Sequence, residues 1–333
     1  MSETRFDVLC IGNAIVDVLA HAEDSFLATH GMVKGSMALI DEARAHHLYD
    51  HMGPGLECSG GSAANTAAGV ASLGGRPAYI GKTNHDTLGE IFAHDLRASG
   101  VHFATSPLSG KADPATARCL ILVSPDAQRT MNTFLGACTR LRPEDIDEAV
   151  VRESQVVYIE GYLWDMPEAK DAIVKAARLA REAGRGVALS LSDAFCVDRH
   201  RDEFQTLVAD HVDIVFANED EIKSLYCADT FDAALQQVRA VCKVAALTRG
   251  AKGSVVLGEN ELHIIDAEPM SGVVDTTGAG DLYAAGFLFG YTQGKDLATC
   301  ARLGGIAAAE VISHFGARPE ADLKGLVAQR FSL

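Results

Sequence analysis

Positive charge is scarce in this chain: 29 Lys and Arg residues stand against 45 Asp and Glu, a formal net charge of −16 at pH 7. A field of that sign repels a nucleic-acid duplex and an anionic membrane surface alike, so neither is expected as a partner. Long apolar runs are missing too. The longest, around Leu282 to Tyr291, is about half as long as a bilayer span requires. Met1 to Arg5 lacks the basic-then-apolar layout of a secretory leader, which leads to the expectation of a cytoplasmic protein. Cysteines 10, 58, 119, 138, 196, 227, 242 and 300 stand singly with no C-x-x-C pair, in a chain of 333 residues that is too large to need disulfide staples. They read as reduced, small core residues. His46, His47 and His51 could share a helix face, but no cysteine or H-E-x-x-H pattern completes a metal set, and a solvated helix is expected there.

The familiar nucleotide signatures are also absent. The nearest approach to a phosphate loop, Gly75 to Thr83 ending in Gly81-Lys82-Thr83, has one residue too many between its glycines. No complete G-x-G-x-x-G fingerprint and no G-x-S-x-G elbow occurs, which weakens a nicotinamide dehydrogenase as a reading. What the chain has instead is Asp275-Thr276-Thr277-Gly278-Ala279-Gly280-Asp281, running straight into an apolar helix. A small-residue turn that feeds a helix leaves several N–H groups unpaired, and the helix dipole adds partial positive charge at the same point. Such a nest holds anions, phosphate above all. Asp281 falls in the first helical turn, where a carboxylate would face the bound anion. As bare structure the run is a helix cap; as chemistry it is a base beside an anion hole, the arrangement that phosphoryl transfer to a hydroxyl needs.

Close to half of the residues are apolar, enough for a large core. Short β-branched runs at Phe6 to Ile11, Ala78 to Gly81, Val156 to Glu160, Val187 to Leu191, Val212 to Phe216 and Val244 to Thr248 alternate with helical patterns. The helices are Thr87 to Ser99, Glu168 to Ala183, Phe231 to Val241 and Ala284 to Tyr291. This order predicts an α/β fold, a doubly wound, mostly parallel sheet in three layers. Ligands then sit beyond the carboxyl ends of the strands, where Gly12-Asn13, Gly161-Tyr162, Ser192-Asp193 and Asn218-Glu219 emerge. Two stretches break the alternation. Residues 15–58 carry several glycines and a helix at Asp41 to His51; residues 104–135 read as antiparallel strands, Ala117 to Val123 and Gln128 to Leu135, around a turn at Ser124-Pro125-Asp126. Together these two insertions are expected to form a small β-rich lid over a large domain made of residues 1–14, 59–103 and 136–333.

Three further groups bear on the chemistry, and each has a plain structural use beside the functional one. Gly60-Gly61-Ser62-Ala63-Ala64-Asn65 opens a helix; missing side chains let backbone N–H groups approach a polar ligand, with Asn65 reaching it from the first turns. Asn218 and Glu221 fit an N-cap and its capping-box partner, and Glu221 is also a candidate for Mg²⁺ held through water, since that ion keeps several waters. Thr248-x-Gly250-x-x-Gly253 ends a strand in a glycine turn that either starts a hairpin or contacts phosphate.

Taken in order, these four motifs resemble the ribokinase (PfkB) family of sugar and nucleoside kinases, over nearly the whole chain. Gly81-Lys82 with Asp86-Thr87-Leu88-Gly89 is similar to a further stretch of that family. The resemblance implies ATP as co-substrate with Mg²⁺, Asp281 as base, and an anion hole from Gly278, Ala279 and Gly280. It implies Thr277, Asn218, Thr248, Gly250 and Gly253 at the nucleotide, and Asp275 as a candidate for a monovalent cation such as K⁺. Gly12 to Asp17 resembles the opening of the adenosine kinases within the family, where the Asp accepts from the two ribose hydroxyls; this nominates Asp17, with Asn13, Gly60, Gly61 and Asn65, as substrate-binding. Arg129 falls where these kinases carry an arginine that closes over the transferring group. Tyr162, and more weakly Phe195, fall where they stack on the base. Cys138, Asn84-His85 and Gly305 depart from the family pattern.

The activity expected is transfer of the γ-phosphoryl of ATP to the 5′-hydroxyl of adenosine. A kinase of another nucleoside, or of a free sugar such as ribose or fructose, is the alternative within the enzyme class. A non-catalytic nucleotide sensor is the alternative outside it. Monomer and homodimer both remain open, since an exposed lid edge can pair or stay free.

Overall fold

The computed structural model describes residues 4–126, 128–270 and 272–331. Two sheets organise them. The larger has nine strands in the order β14-β13-β12-β11-β10-β9-β1-β5-β6. These are β1 (Phe6–Ile11), β5 (Pro77–Ile80), β6 (His102–Phe103), β9 (Ser154–Glu160), β10 (Gly186–Ser190), β11 (Ile214–Asn218), β12 (Val244–Thr248), β13 (Ser254–Leu257) and β14 (Leu262–Ile265). The strands from β12 across to β6 pair in parallel, whereas β13 and β14 extend the edge as an antiparallel hairpin. Every residue of β1 is buried, as expected for a central strand covered by helices on both faces. The smaller sheet, β3-β8-β7-β2-β4, comprises β2 (Ile15–His21), β3 (Met37–Leu39), β4 (Leu56–Gly60), β7 (Ala117–Val123) and β8 (Arg129–Phe134).

The helices are α1 (Asp24–Thr29), α2 (Glu42–His51), α3 (Ser62–Ser72), α4 (Thr87–Ala98), α5 (Glu148–Arg152), α6 (Pro167–Glu182), α7 (Ala194–His211), α8 (Glu219–Tyr226), α9 (Phe231–Arg239), α10 (Ala279–Thr292), α11 (Leu297–Val311) and α12 (Leu323–Phe331). Helix α6 shows why they pack. Proline fits its first turn, and Ala169, Ala172, Ile173, Ala176, Ala177 and Ala180 recur at three- and four-residue spacing as one buried stripe. Two apolar cores result. One holds β1, β9 and β10 residues with α6 and α7; the other holds α3, α10 and α11 against the opposite face.

Several boundaries differ from expectation for local reasons. Strand β11 runs two residues later than the sequence suggested, Ile214–Asn218, because Asp213 is spent on ladder ends: its Oδ2 accepts from Val187 N at 2.9 Å. The stretch 15–58 is richer than its glycines implied, giving β2, β3, β4 and α1 besides the expected α2. Strand β2 pairs with β7 in parallel and with β4 antiparallel, while β3 pairs with β8, so the two separated insertions do share a sheet. Alternation along β2 turns Val16, Val18 and Ala20 into buried positions. It sets Asp17 on the other face, with Ile15 and Leu19.

Candidate active site

Parallel pairing aligns the carboxyl ends of β1, β9, β10 and β11, so the polar exits read in the sequence do lie along one edge of the sheet. Helix α10 begins at that edge. Gly278 caps it in the left-handed region at φ 79°, and a Cβ there would lie 2.8 Å from the Ala317 side chain, which explains the glycine. The amides of Gly278, Gly280 and Asp281 have no acceptor among the described residues. Gly280 is exposed with nothing within 4 Å of a would-be Cβ. The nest is open and points at free space.

Asp281 sits at its rim. Ser62, Asn65 and Thr66 occupy positions i, i+3 and i+4 of α3 and thus share one face, which meets α10. Ser62 Oγ donates to Asp281 Oδ1 at 2.6 Å, Asn65 Nδ2 donates to Oδ2 at 2.9 Å, and Thr66 Oγ1 donates to the Asp281 carbonyl at 3.1 Å. The carboxylate is thereby held in one orientation, and each oxygen retains a lone pair for a further donor. Burial raises the Asp281 pKa; the hydrogen bonds from Ser62 and Asn65 and the charge of Arg318 oppose that rise. Asn65, expected on the substrate, hydrogen-bonds Asp281, and Ser62, read as a cap, is the second side chain that holds it.

Asp17 lies across Gly60. A Cβ on Gly60 would meet the Asp17 carboxylate at 2.2 Å, and one on Gly61, whose φ is 89°, would meet the Asn13 carbonyl at 2.2 Å. The glycine pair is required by these approaches. Burial pushes the Asp17 pKa up to about 7, against the pull of Arg318 and Arg129 and with the push of Asp281. Asp17 and Asp281 thus share one electrostatic environment. Asn13 is committed elsewhere: its Nδ2 donates to Glu160 Oε1 at 2.7 Å, while Ala63 N donates to Glu160 Oε2 at 2.9 Å. Glu160, 1 % exposed, ties the β1 exit to the start of α3, and burial raises its pKa to about 7. Sequence reading passed over it as the residue before Gly161; a carboxylate ending an otherwise apolar strand was the available signal.

Arg129 reaches from β8 of the small sheet to the α10 turn, donating to Thr277 Oγ1 and pairing with Asp275. Asp275 also accepts from Thr277 N at 3.0 Å and Gly316 N at 2.9 Å. The guanidinium and two amides thus use the oxygens on which a monovalent cation would depend, so the arrangement does not fit such an ion and no step is routed through one. Lys82, nearest to a phosphate-loop lysine, pairs with Asp145 at 2.5 Å.

At the start of α8 the expected capping box is realised. Asn218 Oδ1 accepts from Asp220 N and Glu221 N, and Glu221 accepts from Asn218 N, all at 2.9 Å. Glu221 is 6 % exposed. Burial, with the charges of Asp193, Asp220 and Asp281, raises its pKa to about 7 despite the Asn218 amide. Among the described residues no cluster can ligate a metal directly, but this buried, cation-poor acid fits an ion that approaches on phosphates with its own water. Thr248 closes β12; Gly250, φ 56°, is open, and Gly253, φ 79°, packs against the Ile265 carbonyl. Arg249 lies over the Phe231 ring and bonds Glu219 at 3.0 Å, linking this turn to α8.

Tyr162 is part-buried against the core, its hydroxyl donating to the Ser192 carbonyl at 3.3 Å, whereas Phe195 is 77 % exposed. Neither hydrogen-bonds to Asp17 or Asp281 among the described residues. Cys138 is buried behind the β1 exit, its Sγ 3.4 Å from the Ala14 carbonyl. A cavity of about 610 Å³ lies elsewhere, beside α4 and lined by Asn84, His94, Arg97 and Phe103; none of the site residues above borders it.

Comparison with known proteins gives the arrangement its context. An adenosine kinase from Sinorhizobium meliloti superposes with a TM-score of 0.91 at 55 % identity, covering 98 % of this chain and 99 % of that one. A probable sugar kinase from Rhizobium etli gives 0.92 at 52 %, covering 99 % and 100 %. The adenosine kinase of Saccharomyces cerevisiae is 27 % identical over 93 % of this chain and 95 % of its own length. Residues 56–323 match the pfkB family of carbohydrate kinases. The chain belongs to that family, and is a phosphotransferase with an alcohol group as acceptor.

Proposed function

We propose that this chain transfers the γ-phosphoryl group of ATP to the 5′-hydroxyl of adenosine. The observation that carries the reading is the placement of Asp281: one carboxylate fixed by Ser62 and Asn65 at the rim of an open amide nest, in the same field as Asp17. The similarity to adenosine kinases from two organisms supports the choice of acceptor.

In this reading Asp17 accepts from the vicinal ribose hydroxyls, which a carboxylate can do with both oxygens. Asn13, Gly60 and Gly61 shape the adjoining wall, and Tyr162 lies on the side of the base. Asp281 orients the 5′-hydroxyl and takes its proton as the bond to phosphorus forms and the bond to the ADP oxygen breaks. The amides of Gly278, Gly280 and Asp281 face the developing charge, with Arg129 closing over it; Ala279, expected among them, instead donates its N–H to the Thr276 carbonyl at 3.3 Å. Positioning and charge neutralisation outweigh proton abstraction in a loose transition state. Thr277, Asn218, Thr248, Gly250 and Gly253 border the nucleotide. Mg²⁺ carried on the phosphates would supply further neutralisation, with Glu221 facing its water shell.

Residues 15–58 and 104–135 act as a lid on the remaining body, and closure excludes water that would otherwise hydrolyse ATP. The protein works in the cytoplasm on small molecules, as a monomer or homodimer.

A panel of adenosine, guanosine, inosine, cytidine, ribose and fructose with Mg·ATP tests this. Adenosine is expected to give the highest kcat/KM. Preference for ribose or fructose would replace the nucleoside reading with the sugar one, a possibility the Rhizobium etli relative keeps in view. No transfer to any of them would leave a nucleotide sensor.

A further inference from the structure

Arg318 takes no part in the chemistry above, yet its charge acts on both acids of the cleft. It is the leading charge that lowers the pKa of Asp17, and Asp17 is the leading charge that raises its own, against a strong depression by burial. Its Nε donates to the Ser59 carbonyl at 3.2 Å. Ser59 is the partner of Val16 in the β2–β4 ladder, so the guanidinium is anchored beside the strand that carries Asp17. The same short segment serves the anion turn: Gly316 N bonds Asp275, and Ala317 packs on Gly278. Nη2 is shut off from solvent with no acceptor among the described residues. No hydrogen bond or ion pair within 4 Å joins Arg318 to Asp17 among them either.

The Arg318 guanidinium, anchored at Ser59 beside the strand that carries Asp17 and holding an idle buried donor, suits together with that carboxylate a group that both donates and accepts. A buried N–H without a partner costs free energy, and a ligand oxygen would recover it. A hydroxyl has both capacities; a carboxylate ligand would be repelled by Asp17 and Asp281, and a protonated amine has no acceptor for the guanidinium.

We propose that Arg318 is the second half of a hydroxyl clamp whose first half is Asp17. One sugar hydroxyl of the acceptor donates to the Asp17 carboxylate and accepts from the Arg318 guanidinium. Arg318 is then a specificity-determining residue, and acceptors lacking that hydroxyl are rejected because both protein groups are left unpaired. The identity of the acceptor rests on the function proposed above; the clamp itself requires only a hydroxylated sugar.

The test compares adenosine, 2′-deoxyadenosine and 3′-deoxyadenosine on the wild type, Arg318→Lys and Arg318→Met. Wild type should discriminate against at least one deoxy analogue by about 10²-fold or more in kcat/KM. Arg318→Met should lower kcat/KM for adenosine about tenfold or more, chiefly through KM, while changing that analogue by less than about threefold. Arg318→Lys, which keeps the charge but not the fork, should fall between. Equal losses on all three acceptors would mean that Arg318 only props the segment, and unchanged adenosine kinetics would mean that it does nothing at the site; either overturns the clamp. If Arg318→Met does not fold, Arg318→Lys and Arg318→Gln give the same ratio. Wild type inert toward adenosine would sink the nucleoside reading alone; the same variants on the sugar it does phosphorylate, against that sugar's deoxy analogue, then decide the clamp.

Discussion

The proposed transfer requires two charged carboxylates in the cleft, and both sit where burial favours the proton. Asp17 is raised to about 7 and Asp281 is raised as well. A raised acid is ionised only above its pKa, and only the ionised form accepts from hydroxyls on both oxygens. The expected consequence is that kcat/KM for adenosine falls as pH drops below about 7. Ribose hydroxyls bound to Asp17 favour its charged form, so the acid limb of kcat should lie at lower pH than that of kcat/KM. Initial rates from pH 5 to 9 check this, and coincident limbs would show that Asp17 does not meet the acceptor. At this scale the sequence singled out Asp281 and was blind to most of the side chains that hold it. Asp281 stood out because of its glycine turn, whereas Ser62 looked like a helix cap and Asn65 like a substrate contact, and neither pointed to Asp281. Arg318 carried no local signal, and Glu160 only that of an acid ending an apolar strand, since what defines each is a neighbour more than 90 residues away.

Helix starts are the working elements here, and two glycines of one turn should respond differently to a methyl group. At Gly278 a Cβ meets Ala317 and the backbone is left-handed. Gly278→Ala is therefore expected to cost about 1–3 kcal/mol of stability as well as activity. At Gly280 the space is empty and the position is helical, so Gly280→Ala should hold stability or gain up to about 1 kcal/mol. Its methyl group nevertheless enters the volume facing the phosphate, and kcat/KM for ATP should fall about tenfold or more. Denaturation midpoints paired with ATP kinetics separate the cases; an active Gly280→Ala enzyme would remove the nest from the mechanism. Elements with strong periodicity were legible: β12 runs over Val244–Thr248 as read, and α6 covers Pro167–Glu182 against an expected Glu168 to Ala183. The strands β3 and β6 were not, because three and two residues cannot display a period and their pairing is set by distant partners.

For the whole molecule, the doubly wound sheet followed from the alternation of strand and helix patterns; of the antiparallel β13–β14 edge only its start was marked, by the glycine turn at Thr248 to Gly253, since short strands beyond a parallel one leave no mark on that alternation. The cleft also carries a global cost. Asp17, Glu160 and Glu221 are each raised to about 7. Native protein therefore binds more protons than unfolded chain between the ordinary carboxylate range and pH 7. Their contribution is fully favourable below that window and is lost as pH rises through it. Glu160→Gln cannot lose a proton, so its melting temperature relative to wild type should rise from pH 5 through about pH 7 and level off above it. A constant or shrinking difference would mean that Glu160 is ionised at little cost.

The central claim is that Asp281 is the base for a hydroxyl held beside the amide nest. Single-turnover transfer of the γ-phosphoryl of ATP to adenosine by wild type and Asp281→Asn, with adenosine affinity measured on the same preparations, tests it most directly. Turnover should fall by about 10²-fold or more while adenosine affinity changes by less than about threefold. Asp281→Asn turning over at the wild-type rate would contradict the account.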